Sequence, residues 1–118
     1  MDSDQLELLP VTPPYAGPSV ADPQKLLWAL GDPLRWKIVR ELADGSALTV
    51  LDLARRLRRD ANLVSKHMRP LRESGAVTVR EIPGEDRRKS HYEVPPWTRE
   101  GATIGARRVD YGCCLLRF

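Results

Sequence analysis

Apolar residues recur along this chain first at helical spacing and then at a spacing of two, and the change falls at Gly75. Asp22-Pro23 pairs a capping side chain with proline at the first helical position, and Leu26, Leu27 and Leu30 carry a helix to Gly31. Asp32-Pro33 repeats the device at once. Trp36, Val39 and Leu42 follow at i, i+3 and i+6, with Ile38 beside them, so a second helix is predicted with Trp36 in its core stripe and Gly45 as its stop. Ala47-Leu48 leaves room for only a very short strand. Thr49, with Asp52 three residues on, has the form of a capping-box start. The third helix it opens buries Val50, Leu53, Ala54 and Leu57, with Arg55, Arg56, Arg58 and Arg59 off that stripe. Asp60 then caps a fourth helix, Ala61 to Ser74, whose stripe is Val64, Met68 and Leu71. At 100° per residue, Asn62, Ser65, Lys66 and Arg69 point away from that stripe.

After Gly75, Val77 and Val79 alternate with Thr78 and Arg80, and Tyr92 and Val94 with His91 and Glu93. Between them lies a turn, Ile82-Pro83-Gly84-Glu85-Asp86, running into Arg87-Arg88-Lys89, so a hairpin with charge at its tip is predicted. Pro95-Pro96 ends the second strand. From Thr103 to Phe118 two sets alternate, Val109, Tyr111, Cys113, Leu115 and Arg117 against Asp110, Gly112, Cys114, Leu116 and Phe118. An extended strand is expected there. With apolar groups on both faces it must be covered on both, against the core or by reaching across to a partner chain in a dimer interface. At the other end, Pro10, Pro13, Pro14, Gly17 and Pro18 make residues 1–21 a loosely packed arm, in which Leu6-Glu7-Leu8-Leu9 could dock. The expected organisation is an acidic arm (1–21), a folded domain (22–94) and a tail (95–118).

Composition narrows the picture. A chain of 118 residues, 42% hydrophobic, suits one domain with a core of its own. No apolar run approaches the ~18 residues of a membrane span, and the acidic start Met1-Asp2-Ser3-Asp4 lacks the pattern of a signal peptide, so a cytoplasmic protein is expected. The two cysteines, Cys113 and Cys114, are neighbours and give no disulfide framework. The net charge of +3 hides an asymmetry: residues 1–22 hold four acidic side chains and no Lys or Arg, whereas residues 53–91 hold eleven basic and five acidic ones. A basic block in a folded segment points to a polyanion or to a merely solvated face. Fifteen of the nineteen basic residues are Arg, whose planar fork suits phosphate and guanine edges.

Two helices joined by Leu57-Arg58-Arg59-Asp60 and followed by a basic-tipped hairpin form a winged helix-turn-helix. Such a fold places one helix in the major groove, lays the preceding one across the backbone and reaches phosphate or the minor groove with the hairpin. Two stretches also resemble a known family. Ala29-Leu30-Gly31-Asp32-Pro33-Leu34-Arg35-Trp36-Lys37-Ile38-Val39 is similar to the ALGDPTRLRIL opening of ArsR-type bacterial regulators. Val64-Ser65-Lys66-His67-Met68-Arg69-Pro70-Leu71-Arg72-Glu73-Ser74-Gly75 is similar to their recognition-helix run, V-S-x-H-L-x-x-L-x-x-A-G. The resemblance covers residues 22–94 and implies a homodimeric, cytoplasmic regulator that binds double-stranded DNA, usually a repressor released by an effector. Departures accompany it. The third helix has Thr49-Val50-Leu51-Asp52-Leu53 where many relatives carry a Cys-x-Cys metal site, Pro95-Pro96 interrupts the place of their dimer helix, and Arg58-Arg59 stand in a turn that usually contains Gly. Pro70 cannot donate to the Lys66 carbonyl, so a mild kink is expected.

The fold class expected is therefore α+β, mainly α: four helices, a two-stranded wing and a C-terminal extended tail. The DNA-binding candidates are Asn62, Ser65, Lys66, His67 and Arg69 on the fourth helix and Arg87, Arg88 and Lys89 on the wing. For each, a solvated surface is the alternative; for His67 it is a packed histidine donating to the backbone. No nucleophile with a neighbouring base, Gly-rich phosphate loop or carboxylate pair can be assembled, so no enzyme and no cofactor are expected. Cys113-Cys114 lacks a third ligand and no metal site is assigned, although a thiol-based metal- or metalloid-responsive repressor is the second reading. A winged-helix protein-interaction module is the third.

Overall fold

The computed structural model describes residues 18–84 and 89–118. Four helices, α1 (Pro23–Leu30), α2 (Pro33–Leu42), α3 (Val50–Leu57) and α4 (Ala61–Glu73), precede two strand pairs. The starts are those the capping residues dictate. The Asp22 carboxylate accepts the Lys25 amide at 3.1 Å, and Asp32 accepts those of Leu34 and Arg35 at 2.9 and 3.0 Å. Thr49 and Asp52 close a reciprocal capping box, at 3.0 and 3.1 Å, that satisfies two otherwise orphaned amides. Asp60 accepts from Asn62 and Leu63. Between α3 and α4 the chain turns through Arg58 in the left-handed region, φ 54°, so the turn that sequence places at 57–60 is made without glycine.

Leu26, Ala29 and Leu30 of α1, Leu53 and Ala54 of α3, and Val64, Met68 and Leu71 of α4 are buried in one core, as their spacing requires. On α2 the buried set is Leu34, Ile38, Val39 and Leu42, which corrects the expected stripe. Trp36 sits on the rim, 38% exposed, because an i, i+4, i+8 row through Leu34, Ile38 and Leu42 already fills the inward face. Its ring leans on Phe118 at 4.8 Å between centroids.

β1 (Thr78–Arg80) and β2 (His91–Glu93) pair antiparallel, with Val79 opposite Tyr92. Leu48 joins them through two backbone hydrogen bonds with Tyr92, 2.9 and 2.8 Å, an isolated bridge where a very short strand is expected at 47–48. Glu93 is buried where alternation would turn it outward; it faces Arg80 across the pair at 2.5 Å, and this ion pair lets a carboxylate lie under the wing.

The tail departs most from expectation. It is a second antiparallel hairpin, β3 (Arg108–Asp110) with β4 (Leu115–Arg117), in place of a single extended strand. The reversal occurs over Tyr111-Gly112-Cys113-Cys114, closed by a 2.9 Å bond from the Tyr111 amide to the Cys114 carbonyl. Because Val109 pairs with Leu116, an odd-numbered residue faces an even-numbered one, and the inward set switches at the turn. Val109 and Tyr111 are fully buried before it, whereas Cys114, Leu116 and Phe118 pack on the core after it. Gly112 is essential to the turn: a Cβ there would lie 2.8 Å from that of Ser19 and 2.9 Å from the Pro18 carbonyl oxygen. A 3₁₀ turn, Pro96–Arg99, leads into the hairpin, and the Arg99 guanidinium bonds the carbonyls of Asp44, Ala106 and Arg108, stapling the tail to the end of α2. No helix among the described residues is long and apolar enough to cross a membrane.

Candidate nucleic-acid interface

The burial of Val64, Met68 and Leu71 fixes which side of α4 faces out. Asn62, Ser65, Lys66 and Arg69 are all exposed on that side, as the helical wheel requires. The wing stands beside them and leaves a groove on either flank. A groove of ≈ 710 Å³ lies between α4 and the strands, lined by Ser65, Arg69, Arg72, Thr78 and Tyr92 among others. A second, ≈ 540 Å³, opens towards the start of α3 and is lined by Thr49, Arg55, Ser65, Lys89 and His91 among others. Ser65 belongs to both, so the small residue of α4 stands at the junction.

Sequence does not single out Arg72, Arg55 or His91. Arg72 is legible in hindsight: Ser65, Arg69 and Arg72 fall at i, i+4 and i+7 and share a helix face. Arg55 and His91 carry no such signal, because a tertiary contact brings α3 and β2 together.

The candidates differ in what already engages them. Arg69 is 84% exposed and its Nε donates to Glu73 at 2.9 Å, a contact that holds the Glu73 carboxyl below the usual range. An i, i+4 pair so open to water is weak and gives way readily to a stronger acceptor. Lys66 is exposed, and so is Lys89 at the wing's edge. Arg87 and Arg88 lie outside the described residues. His67 is half-buried, and its Nδ1 faces Arg35 of α2 at 3.2 Å and Asp32 at 3.8 Å. Arg35 has only donors to offer, so a hydrogen bond between the two uses Nδ1 as the acceptor. Among the described residues these two side chains are the polar partners of the ring.

The thiols lie apart from this face. Cys113 is exposed at the tail turn and Cys114 half-buried, with Sγ atoms 4.0 Å apart. Burial, reinforced by Cys113, pushes the Cys114 thiol up to about 11, so it stays protonated at neutral pH. No group of three His, Cys, Asp or Glu side chains suited to a metal gathers among the described residues.

A helix-turn-helix domain model matches residues 30–80, which span α2 to β1. Among solved structures, reduced HlyU from Vibrio cholerae aligns with a TM-score of 0.52 and 30% identity, over 60% of this chain and 70% of that one. A protein described as a possible transcriptional regulator for arsenical resistance aligns with a TM-score of 0.52 and 30% identity, over 62% and 71%. The transcriptional repressor BigR from Xylella fastidiosa gives 0.51 and 25%, over 61% and 68%. No curated protein matches the chain by sequence.

Proposed function

This chain belongs to the ArsR-type winged helix-turn-helix family of transcriptional regulators, and from that premise we propose that it is a cytoplasmic, homodimeric repressor that reads a short palindrome in double-stranded DNA. One observation carries the reading: α4 offers a face of hydrogen-bonding and cationic groups with no packing duty, flanked by the wing and its two grooves. Asn62, Ser65, Lys66 and Arg69 enter the major groove, where Asn and Arg can make bidentate contacts to adenine and guanine. Arg87, Arg88 and Lys89 neutralise neighbouring phosphates. The Thr49 end of α3 approaches the backbone, and Arg55 and Arg72 flank the helix as further phosphate contacts. Two copies present their α4 helices about one DNA turn apart, ~34 Å, so that each reads a half-site. The protein acts by occupying its operator, without a catalytic step.

Selection from a random-sequence duplex pool tests this. Enrichment of a palindrome, with a dimer in sedimentation, supports it; a pool that enriches nothing favours a protein-interaction module.

A second reading concerns the effector. The Cys113 and Cys114 sulfurs, 4.0 Å apart on an exposed turn, form a dithiol that a soft metal or metalloid would bridge with a ligand from outside this pair. Titration monitored in the thiolate charge-transfer band, with and without the selected duplex, distinguishes an effector site from an inert pair.

A further inference from the structure

Arg35 makes more directional contacts between helices than any spacing rule foresees. Its Nε donates to the Ala29 carbonyl at 2.6 Å, and its guanidinium lies over the Trp28 ring, 4.9 Å from the centroid. Its Nη1 donates to His67 Nδ1 at 3.2 Å. Its own amide bonds the Asp32 carboxylate, the largest of the effects that hold that carboxyl below its usual range. Asp32 in turn lies 3.8 Å from His67. One planar cation therefore ties the end of α1, the start of α2 and the middle of α4. The last turn of α1 has no basic residue of its own, and Arg35 supplies the positive charge its carbonyls favour.

The consequence for α4 follows from the kinds of force involved. Val64, Met68 and Leu71 decide which side of the helix is inside, but burial is non-directional. A directional bond restrains the roll of the helix more narrowly than burial does. His67 stands between Lys66 and Arg69, on the flank of the helix, and its bond to Arg35 is such a restraint. A recognition group must be held within roughly 0.5 Å and 10–20° of its productive geometry, so a roll of that size would misaim every base-reading side chain together.

We infer that Arg35 is a positioning residue for DNA reading, acting through His67 to set the roll of α4. The inference rests on the DNA-reading role proposed above. The experiment uses the full chain, the duplex it enriches from a random pool and an unrelated duplex of equal length. Arg35→Lys keeps the charge and loses the planar fork, and Arg35→Met loses both. Each should weaken binding to the enriched duplex by roughly 2- to 30-fold, the equivalent of ~0.5–2 kcal/mol typical of residues that couple to a site without touching its ligand. Affinity for the unrelated duplex and the salt slope should stay at wild-type values. In a His67→Ala background, Arg35→Met should cause little further loss. Where an Arg35 variant folds poorly, His67→Ala removes the same contact from α4 and should lose specificity with the salt slope unchanged.

Several results overturn the inference. Equal weakening on both duplexes with the slope lowered by ~0.9 would make Arg35 a phosphate contact. Additive effects in the double variant would mean that it does not act through His67. Wild-type discrimination in folded Arg35 variants would leave it no role in reading. A wild-type chain that enriches no duplex would remove the DNA-reading proposal itself, and this role with it.

Discussion

Both hairpins of this chain are antiparallel pairs of three-residue strands, yet they meet the core in opposite ways. β1–β2 is anchored by Leu48, Val77 and Val94 and by the buried Glu93, which pairs with the half-exposed Arg80, and between its strands lies the run that includes Arg87, Arg88 and Lys89. β3–β4 inserts Val109 and Tyr111 into the core, the Tyr111 hydroxyl donating to the Ala76 carbonyl at 2.8 Å, and leaves two thiols on its turn. The difference lies in the side chains. Basic residues around a Pro-Gly turn cannot be buried, whereas alternating Val, Tyr, Leu and Phe cannot be left in water. Strand geometry is common to both; the tail hairpin completes the domain, and the wing carries the basic run to which the proposal assigns phosphate contacts.

The contrast predicts where substitutions act, and the largest effect falls on the tail. Tyr111→Ala removes a fully buried aromatic ring and leaves the Ala76 carbonyl without its donor. A loss of ~3–5 kcal/mol is expected in urea denaturation, with Tyr111→Phe losing only ~1 kcal/mol. A Tyr111→Ala chain as stable as wild type would mean that the tail merely rests on the surface.

The wing should behave in reverse. Replacing Arg87, Arg88 and Lys89 together should leave the thermal midpoint where it was and lower the log–log salt slope of DNA binding by about 0.9 for each phosphate no longer neutralised. An unchanged slope would erase the functional half of the comparison.

A smaller effect on stability is expected at the cap of α3. Hydrogen bonds from the Thr49 amide and hydroxyl hold the Asp52 carboxyl below its usual range, despite a desolvation cost. Its contribution is therefore complete above the unfolded value of ~3.9 and is lost as pH falls through the lower folded value. Asp52→Ala should cost ~0.5–2 kcal/mol at neutral pH and flatten the loss of stability below about pH 4. Parallel curves for the two proteins would show that the cap contributes no pH-dependent stability.

Sequence discloses the features that depend on neighbours along the chain. Asp-Pro starts, the Thr49–Asp52 box, the α4 stripe and the strand alternation of the wing all involve residues a few positions apart, where helix and strand geometry alone decide. The outward face of α4 follows directly. What stays hidden depends on distant pairs. Trp36 yields its place in the core to the Leu34, Ile38 and Leu42 row. The Arg35–His67 bond spans 32 residues, and the Arg99–Asp44 bond 55. The tail reads as one strand because alternation continues unbroken through Tyr111-Gly112-Cys113-Cys114, and only the turn reveals that the inward set switches there. Val109, Tyr111, Cys114, Leu116 and Phe118 all turn to the domain's own core, whereas Leu115 on the other face stays exposed.

The central claim is that the outward face of α4 reads DNA while carrying no part of the core. It is tested most directly by titrating the enriched duplex with wild type, Lys66→Ala and Arg69→Ala, with a thermal melt of each protein. Each variant should lose about 1–3 kcal/mol of specific binding, roughly 5- to 150-fold, with its midpoint within a degree or two of wild type. If both variants bound that duplex as tightly as wild type, the reading face would be elsewhere and the account would fail.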